Sequence, residues 1–413
     1  MIEIPKFLEP IITALQNGGA SPVLVGGFVR DSLLGIAIKD IDIEVYNISD
    51  FDAMIKILKL FGSINLVGKS FGILKLSYSG YELDFSLPRL EKKIGPGHKG
   101  FDVFLDPKLS FVEAAARRDF TINAMGFDLN SHTLLDPYNG QKDLNNKILT
   151  YVNKETFIED PLRVLRAVQF CARFELSSKE ELIELSRYIC EKGLIKELPK
   201  ERMYEEFSKL LLKSKKPSIG LALFETFGLT KYFPEISNKN NLFEHIDVMV
   251  NLKTKNSKRD MVLMLSLIVF HFSSTEDVKL FLQKFLNETQ IIKEVLNLYM
   301  YRYALNDLAQ KPLINYDILL LSTKTIIQNL LILGQAQGKD FKEIKRRAEQ
   351  LSVLTCKPKP LLYGRDLIEL GLNPSTLFST ILEAAYDAQL QKNFTNTKDA
   401  KIWLKNHINT LIY

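Results

Sequence analysis

Short apolar runs alternate with helical periodicity over roughly the first 150 residues. Pro22 to Val25 is a continuous apolar run that ends at Gly26-Gly27, which predicts a buried strand entering a tight turn. Ile73 to Leu76 and Tyr81 to Leu87 flank Ser79-Gly80, the pattern of a β-hairpin. Beyond residue 150 strand signals nearly vanish. Leu162, Leu165, Val168, Phe170 and Ala172 recur at helical spacing, followed by Leu182 to Ile189 and Phe207 to Leu212. The pattern predicts an α+β chain, with strands and helices mixed in a head and helices alone after it. Loop punctuation at Pro234-Glu235 and Ser237 to Asn241 predicts a boundary near residue 238, and Lys357 to Pro360 marks another. The expected domains are 1–150, 151–238 and 239–413.

A chain of 413 residues is long enough for two or three domains, each with its own core. Its 46% hydrophobic and 25% charged residues are ordinary for a globular protein. The longest mostly apolar run, Met261 to Phe270, is too short to span a bilayer. The opening MIEIPKFLEP lacks the charged-then-apolar pattern of a signal peptide, so no membrane and a cytoplasmic location are expected. Cys171, Cys190 and Cys356 have no metal or redox spacing and read as reduced, mostly buried thiols. The net charge of +5 permits a nucleic-acid partner without requiring one. Two basic stretches are candidate RNA contacts: Lys209, Lys213, Lys215 and Lys216, and then Lys339, Lys342, Lys345, Arg346 and Arg347.

Chemistry concentrates between Val23 and Asn47. Asp40 and Asp42 are one residue apart on a predicted strand, so their carboxylates share a face. Two like charges that close call for a cation, and a hard ion such as Mg²⁺ prefers carboxylate oxygens and substrate phosphates. Upstream, Gly26 and Gly27 let the backbone approach a ligand, and Arg30 follows on the first turn of a helix. A glycine turn, a cation and a carboxylate pair are the layout needed to hold a nucleoside triphosphate and its metals.

GGFVRDSLLG and KDIDIEV resemble the head domain of class II tRNA nucleotidyltransferases and bacterial poly(A) polymerases, members of the polymerase-beta superfamily. The resemblance continues through RRDFTINAM (Arg117 to Met125), LLDPYNGQKDL (Leu134 to Leu144) and EDPLRVLRAVQFCARF (Glu159 to Phe174). It fades after about residue 235 and returns at PLLYGRDLIELGLNPS (Pro360 to Ser375). It implies a polymerase-beta-type nucleotidyltransferase head with a mixed sheet, a helical neck that recognises the nucleotide, and a helical body and tail that bind tRNA.

The resemblance also implies roles. Asp40 and Asp42 would bind the metal and carry catalysis. Asp84, five positions before Arg89, is the candidate third carboxylate, with Glu82 on the same strand face as the alternative. Gly27 and Arg30 would meet the nucleotide. Arg118 is expected at the phosphates, and Asp119 and Asn123 near the ribose or fixing Arg118. Asp160 is expected to cap the helix that Pro161 opens, and it shares a face with Arg163. Together an acceptor and a forked donor can mimic a complementary base edge for incoming C or A. Arg166 continues the helix toward the triphosphate or nucleotide. Arg89 to Phe101, with Gly95, Pro96, Gly97 and Gly100, reads as a mobile loop, and in CCA-adding relatives a loop here helps the switch from C to A.

One departure matters. Relatives that carry a helical HD phosphohydrolase domain need a His-Asp pair plus further ligands. Here Phe272 follows His271, His245 stands apart, and the chain has five His in all. Any HD-like region is therefore expected to be a scaffold without metal. The expected function is addition of the 3′-terminal CCA of tRNA from CTP and ATP, with tRNA held by its acceptor and T arms. An A-adding enzyme, a poly(A) polymerase and a non-catalytic RNA-binding protein are the alternatives. GKSFGILK (Gly68 to Lys75) and a weakly charged end favour the tRNA enzyme over poly(A) polymerase.

Overall fold

The structure is a computed structural model that describes residues 2–38, 40–66, 72–93, 95, 101–254 and 256–412. Of the expected loop Arg89 to Phe101, residues 94 and 96–100 lie outside the described residues, as does the first half of GKSFGILK; Arg89–Lys93 is a strand and not loop. The chain forms two compact units: Met1–Phe243 with Lys284–Asn287, and Glu244–Gln283 with Glu288–Tyr413.

The first unit opens with α1 (Glu9–Asn17), β1 (Ser21–Val25), α2 (Gly27–Leu33), β2 (Ile41–Tyr46) and α3 (Phe51–Leu58). β3 (Ser63–Asn65), β4 (Ile73–Tyr78), β5 (Tyr81–Ser86), β6 (Arg89–Lys93) and β7 (Phe101–Leu105) follow. Next come α4 (Phe111–Ala115), β8 (Gly126–Asp128), β9 (Thr133–Leu135) and α5 (Gly140–Asn145). Seven strands make one mixed sheet in the order β3-β4-β5-β2-β1-β8-β9, and β6 pairs with β7 apart from it. Within that sheet β2 and β5 run parallel, while the other neighbours are antiparallel. The predicted hairpin is β4–β5: Ser79 and Gly80 both take left-handed φ (51° and 81°), the geometry that matches strand twist.

Strand alternation sorts this sheet into two chemistries. Ile43, Val45, Leu74, Leu76, Leu83 and Phe85 are buried on one face. Lys75, Asp84, Asp42 and Glu44 alternate with them and share the other, because Asp42 is in register with Asp84 and Asp84 with Lys75. Asp50 caps α3 by accepting from the Ala53 N–H at 2.8 Å, and Ser110 with Glu113 forms a capping box on α4.

Helices complete the first unit: α6 (Lys154–Glu159), α7 (Leu162–Phe174), α8 (Glu180–Glu191), α9 (Lys200–Lys213) and α10 (Pro217–Thr226). α7 buries an almost continuous surface and ends where Glu175 turns left-handed. Gly220 allows α10 to close on it, since a Cβ there would lie 2.5 Å from Leu210 and 2.8 Å from the Val168 carbonyl. Phe207 packs against Phe224, Phe233 and Phe285, stacking on Phe285 at 4.3 Å. Each such ring buries about 2–3 kcal/mol of apolar surface, which ties the remote segment Lys284–Asn287 to this unit.

Among the described residues the second unit is helical, without strands. After Pro360 it gathers a core of its own around Leu367, Ile381, Phe394 and Leu404. No single helix among the described residues is long and apolar enough to cross a membrane. Asn315–Lys324 and Ile327–Ala336 pass only as a pair, and they meet at 95°. Cys171 and Cys190 are buried, whereas Cys356 is exposed; burial pushes both buried thiols up to about 12.

Candidate active site

The turn between β1 and α2 sets one wall of the site. Gly26 takes φ 62°, ψ −121°, a conformation open to glycine, and a Cβ there would stand 3.0 Å from Nη1 of Arg118. Gly27, Arg30, Asp31, Asp40 and Asp42 line a cleft of about 640 Å³ with Arg173, Lys213 and Lys215. All five head residues lie in the stretch Val23 to Asn47; Asp31 is the one that its spacing did not mark as a candidate.

Asp40 is exposed and Asp42 half-buried at the start of β2. Neither has a side-chain hydrogen bond or ion pair among the described residues. Burial, then the charges of Asp84 and Asp40, push the Asp42 carboxyl up to about 6, against the pull of Arg118 and Lys75. Asp84 faces Lys75, with Nζ 3.1 Å from Oδ2 and 2.9 Å from Oδ1. That second approach lacks hydrogen-bond geometry, so Oδ1 remains a buried acceptor without a donor. Of the two candidate third carboxylates, Asp84 is the one in register with Asp42, while Glu82 is exposed and accepts from Ser77. The three Asp side chains are neighbours in charge but not yet a ligand cluster: among the described residues no three His, Cys, Asp or Glu groups converge as for a metal.

Glu44 was not singled out by the spacing argument, although it continues the alternation of Asp40 and Asp42. It is fully buried and accepts from Tyr46 Oη at 2.6 Å and Arg117 Nη2 at 3.1 Å, with Arg118 Nη2 at 3.7 Å. Burial alone would raise its carboxyl, but Arg118, Arg117 and Tyr46 outweigh that and hold it below the usual range. Glu44 therefore anchors the guanidinium that abuts the glycine turn.

A second network lies beneath α2. Arg30 is buried; it donates to Asn123 Oδ1 and to Asp31, and it stacks over Phe174 at 4.6 Å. Asn123 donates to Asp119 at 3.0 Å, and Asp119 receives Arg166 Nε at 2.8 Å. Burial would raise Asp119, yet Arg166, Arg163 and Asn123 keep it below the ordinary carboxylate range. Asn123 thus bridges Arg30 and Asp119, and Arg118 reaches only its backbone carbonyl, at 3.4 Å.

The N-cap position of α7 falls not on Asp160, as expected, but on Pro161, which has no side-chain group to cap with; Asp160 stands one residue earlier, closing α6, and accepts from the Leu162 N–H at 3.2 Å. Pairing of Asp160 with Arg163 is not what holds either side chain. Asp160 receives a two-pronged contact from Arg202 at 2.9 and 3.3 Å. Arg163 donates to the carbonyls of Arg117 and Arg118, at 2.7 and 3.5 Å. The physical reason is the fork: a guanidinium finds two planar acceptors in those carbonyls, and a carboxylate finds a planar donor in Arg202. Arg202 lies 42 residues from Asp160, and no local signal in the sequence links them. Asp84, Arg118, Asp119, Asn123, Asp160, Arg163 and Arg166 do not line the cleft of Asp40 and Asp42. In the second unit, burial lowers both His245 and His271, and the latter also feels His245, Lys339 and Arg302.

Comparison with known proteins places these features. A "Poly A polymerase head domain" model matches residues 23–150, and a tRNA nucleotidyltransferase domain 2 model matches 257–402. Residues 184–240 match one described as "Probable RNA and SrmB-binding site of polymerase A". A "Multifunctional CCA protein" of Vibrio parahaemolyticus is 39% identical over 217 residues, 52% of this chain and 51% of that protein. Another, of Aromatoleum aromaticum, is 36% identical over 214 residues, 52% of this chain and 50% of that protein. The chain spans about half the length of the curated relatives it matches. Among solved structures, the Bacillus stearothermophilus CCA-adding enzyme in complex with CTP superimposes with a TM-score of 0.75, at 22% identity and 99% coverage of both chains. The Thermotoga maritima CCA-adding enzyme complexed with tRNA gives 0.68 at 20% identity, covering 98% of this chain and 97% of that one.

A carboxylate-bearing mixed sheet beneath a glycine turn, continued by helices, is the architecture of a polymerase head with its helical extension. Over residues 23–150 and 257–402 the chain matches the family of poly(A) polymerases and tRNA nucleotidyltransferases. Enzymes of that family are in general metal-dependent.

Proposed function

We propose that this protein adds or repairs the 3′-terminal CCA of tRNA, using CTP and ATP and releasing pyrophosphate. The observation that carries the reading is the placement of Asp40 and Asp42 in a cleft that also holds Gly27 and Arg30, with Asp84 in register with Asp42 on the neighbouring strand. The RNA 3′-hydroxyl attacks the α-phosphorus, loses its proton, and the bond to the β-phosphate oxygen breaks.

The donor set fits a hard divalent cation. It consists of carboxylate oxygens, and burial together with the charges of Asp84 and Asp40 pushes Asp42 toward its neutral form. Asp40 and Asp42 would hold Mg²⁺, with Asp84 completing the acidic face. When bound, the ion supplies charge neutralisation and activates the attacking hydroxyl.

The chain's own groups do the rest. Gly26 and Gly27 leave room for the triphosphate. Arg118, braced by Glu44, meets its phosphates, and Arg30 braces the turn from below through Asn123 and Asp119. Asp160 and Arg163, each fixed by its own partner, present an acceptor and a donor to the base. Arg166 holds Asp119 and so links this helix to the nucleotide side. The proposed domains are a head over 1–150, a neck over 151–238 and a tRNA-binding body and tail over 239–413. The acceptor and T arms of tRNA are the expected contacts, and the cytoplasm the expected location.

The test is incubation with tRNA ending at the discriminator base, Mg²⁺ and each labelled nucleotide, followed by sequencing of the added end. Ordered C, C, A supports the proposal. Addition of A alone indicates an A-adding enzyme, and long A tails on unrelated RNA a poly(A) polymerase. No incorporation rejects it.

A further inference from the structure

We propose that Lys213 and Lys215 hold backbone phosphates of the RNA 3′ strand in the cleft of Asp40 and Asp42, an inference that rests on the nucleotidyl-transfer reading. A cleft that takes both a triphosphate and an RNA end must neutralise several negative charges beyond those met by metal. Most arginines near it are already engaged. Arg30 is held by Asp31 and Asn123, Arg117 by Glu44 and Glu91, Arg163 by two carbonyls, and Arg166 by Asp119. Arg173 lies 3.8 Å from Asp31 and stacks on Phe174.

Lys213 and Lys215 differ. Both line the cleft, both are exposed, and neither has an ion-pair partner among the described residues. Their aim is set by the backbone. α9 ends at Lys213, and Ser214 is extended (φ −82°, ψ 146°) with its side chain 1% exposed. In an extended segment alternate side chains share a side, so a buried Ser214 turns both lysines outward together. Buried Pro217 starts α10 two residues later and fixes the far end of this short turn.

Two further observations favour RNA over the triphosphate. Both lysines lie within residues 184–240, the segment matched by the polymerase A RNA-binding description. In the other basic stretch most cations are partnered, with Lys342 on Asp340 at 2.7 Å and Arg346 and Arg347 sharing Glu343 at 2.7 and 2.9 Å. Lys209 is likewise paired with Glu206 at 2.8 Å.

The experiment is fluorescence anisotropy of labelled tRNA lacking CCA, run across a salt series with the full chain, alongside steady-state KM values for RNA and for CTP. Lys213→Ala/Lys215→Ala should weaken RNA binding roughly tenfold and flatten the log–log salt slope by about 1.4–1.8, the loss of two phosphate contacts. The KM for RNA should rise in parallel while the KM for CTP stays within about twofold. Lys213→Arg/Lys215→Arg should restore both affinity and slope. A rise in the CTP KM with unchanged RNA affinity would assign the lysines to the triphosphate and overturn the proposal. Unchanged values throughout would make them idle solvated charges and overturn it equally. The binding arm needs no catalysis, so the two fail distinguishably: a protein that adds no nucleotide rejects the functional reading, and RNA affinity that ignores the two lysines rejects this inference.

Discussion

The strand face of β2 and the N-terminal half of α7 are both rich in charge, and they treat it in opposite ways. At the start of β2, Asp40 and Asp42 have no cationic partner within ion-pair distance among the described residues, and the neighbouring Asp84 is met by Lys75. On α7 and just before it, Asp160, Arg163 and Arg166 are each bound by the protein itself. The first region is under-compensated and needs positive charge from outside. The second is satisfied, and its rigidity is what a base-reading surface needs, since discrimination depends on donors and acceptors held in place. Chemistry and choice are thus separated between a sheet and a helix.

The comparison breaks first if the acidic face is dispensable. Asp40→Ala and Asp42→Ala should each lower kcat on the order of a thousandfold or more in Mg²⁺, without loss of folded structure by circular dichroism. Near-normal turnover in either variant would remove the acidic face from catalysis.

Removing a partner on the satisfied side should cost stability instead. Arg166→Ala leaves the buried Asp119 carboxylate with hydrogen bonds from Asn123 and a backbone N–H and only the more distant charge of Arg163. We expect a loss on the order of 2–4 kcal/mol in urea unfolding, because an unpaired buried charge is expensive. Asp119→Asn in the same background should recover part of it.

Choice of nucleotide should move with Arg163. Arg163→Ala is expected to shrink discrimination among CTP, ATP, UTP and GTP by about 1–3 kcal/mol, read as ratios of kcat/KM. A uniform fall with the same preference would make its bonds to the Arg117 and Arg118 carbonyls its whole role.

The smallest expected effect sharpens the contrast. Burial and Asp84 disfavour the charged form of Asp42, so charge there opposes folding at neutral pH when no metal is bound. Asp42→Asn should therefore stabilise the metal-free protein by about 1 kcal/mol, or ~2–4 °C in Tm, while removing activity. A lower Tm would mean that the carboxylate makes a favourable contact in solution.

What the sequence made legible follows the range of the signal. Strand alternation and the glycine turn are local, so the shared face of Asp40 and Asp42, the β4–β5 hairpin and the helical periodicity after residue 150 all appear within short windows. The start of α7 at Pro161 is local too, although the capping position falls on Pro161 and not on Asp160. Glu44 carried the same period-2 signal and was passed over, since a third acid on a strand reads as ordinary until its two arginine partners are placed beside it. Arg202 and Lys75 could not be read at all. One meets Asp160 across a helix pair and the other meets Asp84 across a hairpin, and only packing and register bring them together.

The most direct test of the division between the two regions is Mn²⁺ binding, followed by electron paramagnetic resonance, in complexes with CTP and an RNA whose 3′-deoxy end blocks transfer. The account predicts that Asp42→Ala abolishes the protein-dependent Mn²⁺ signal, whereas Arg163→Ala retains it. Equal Mn²⁺ binding by Asp42→Ala and the unaltered protein would contradict the assignment of the β2 face as the metal-holding side of the site.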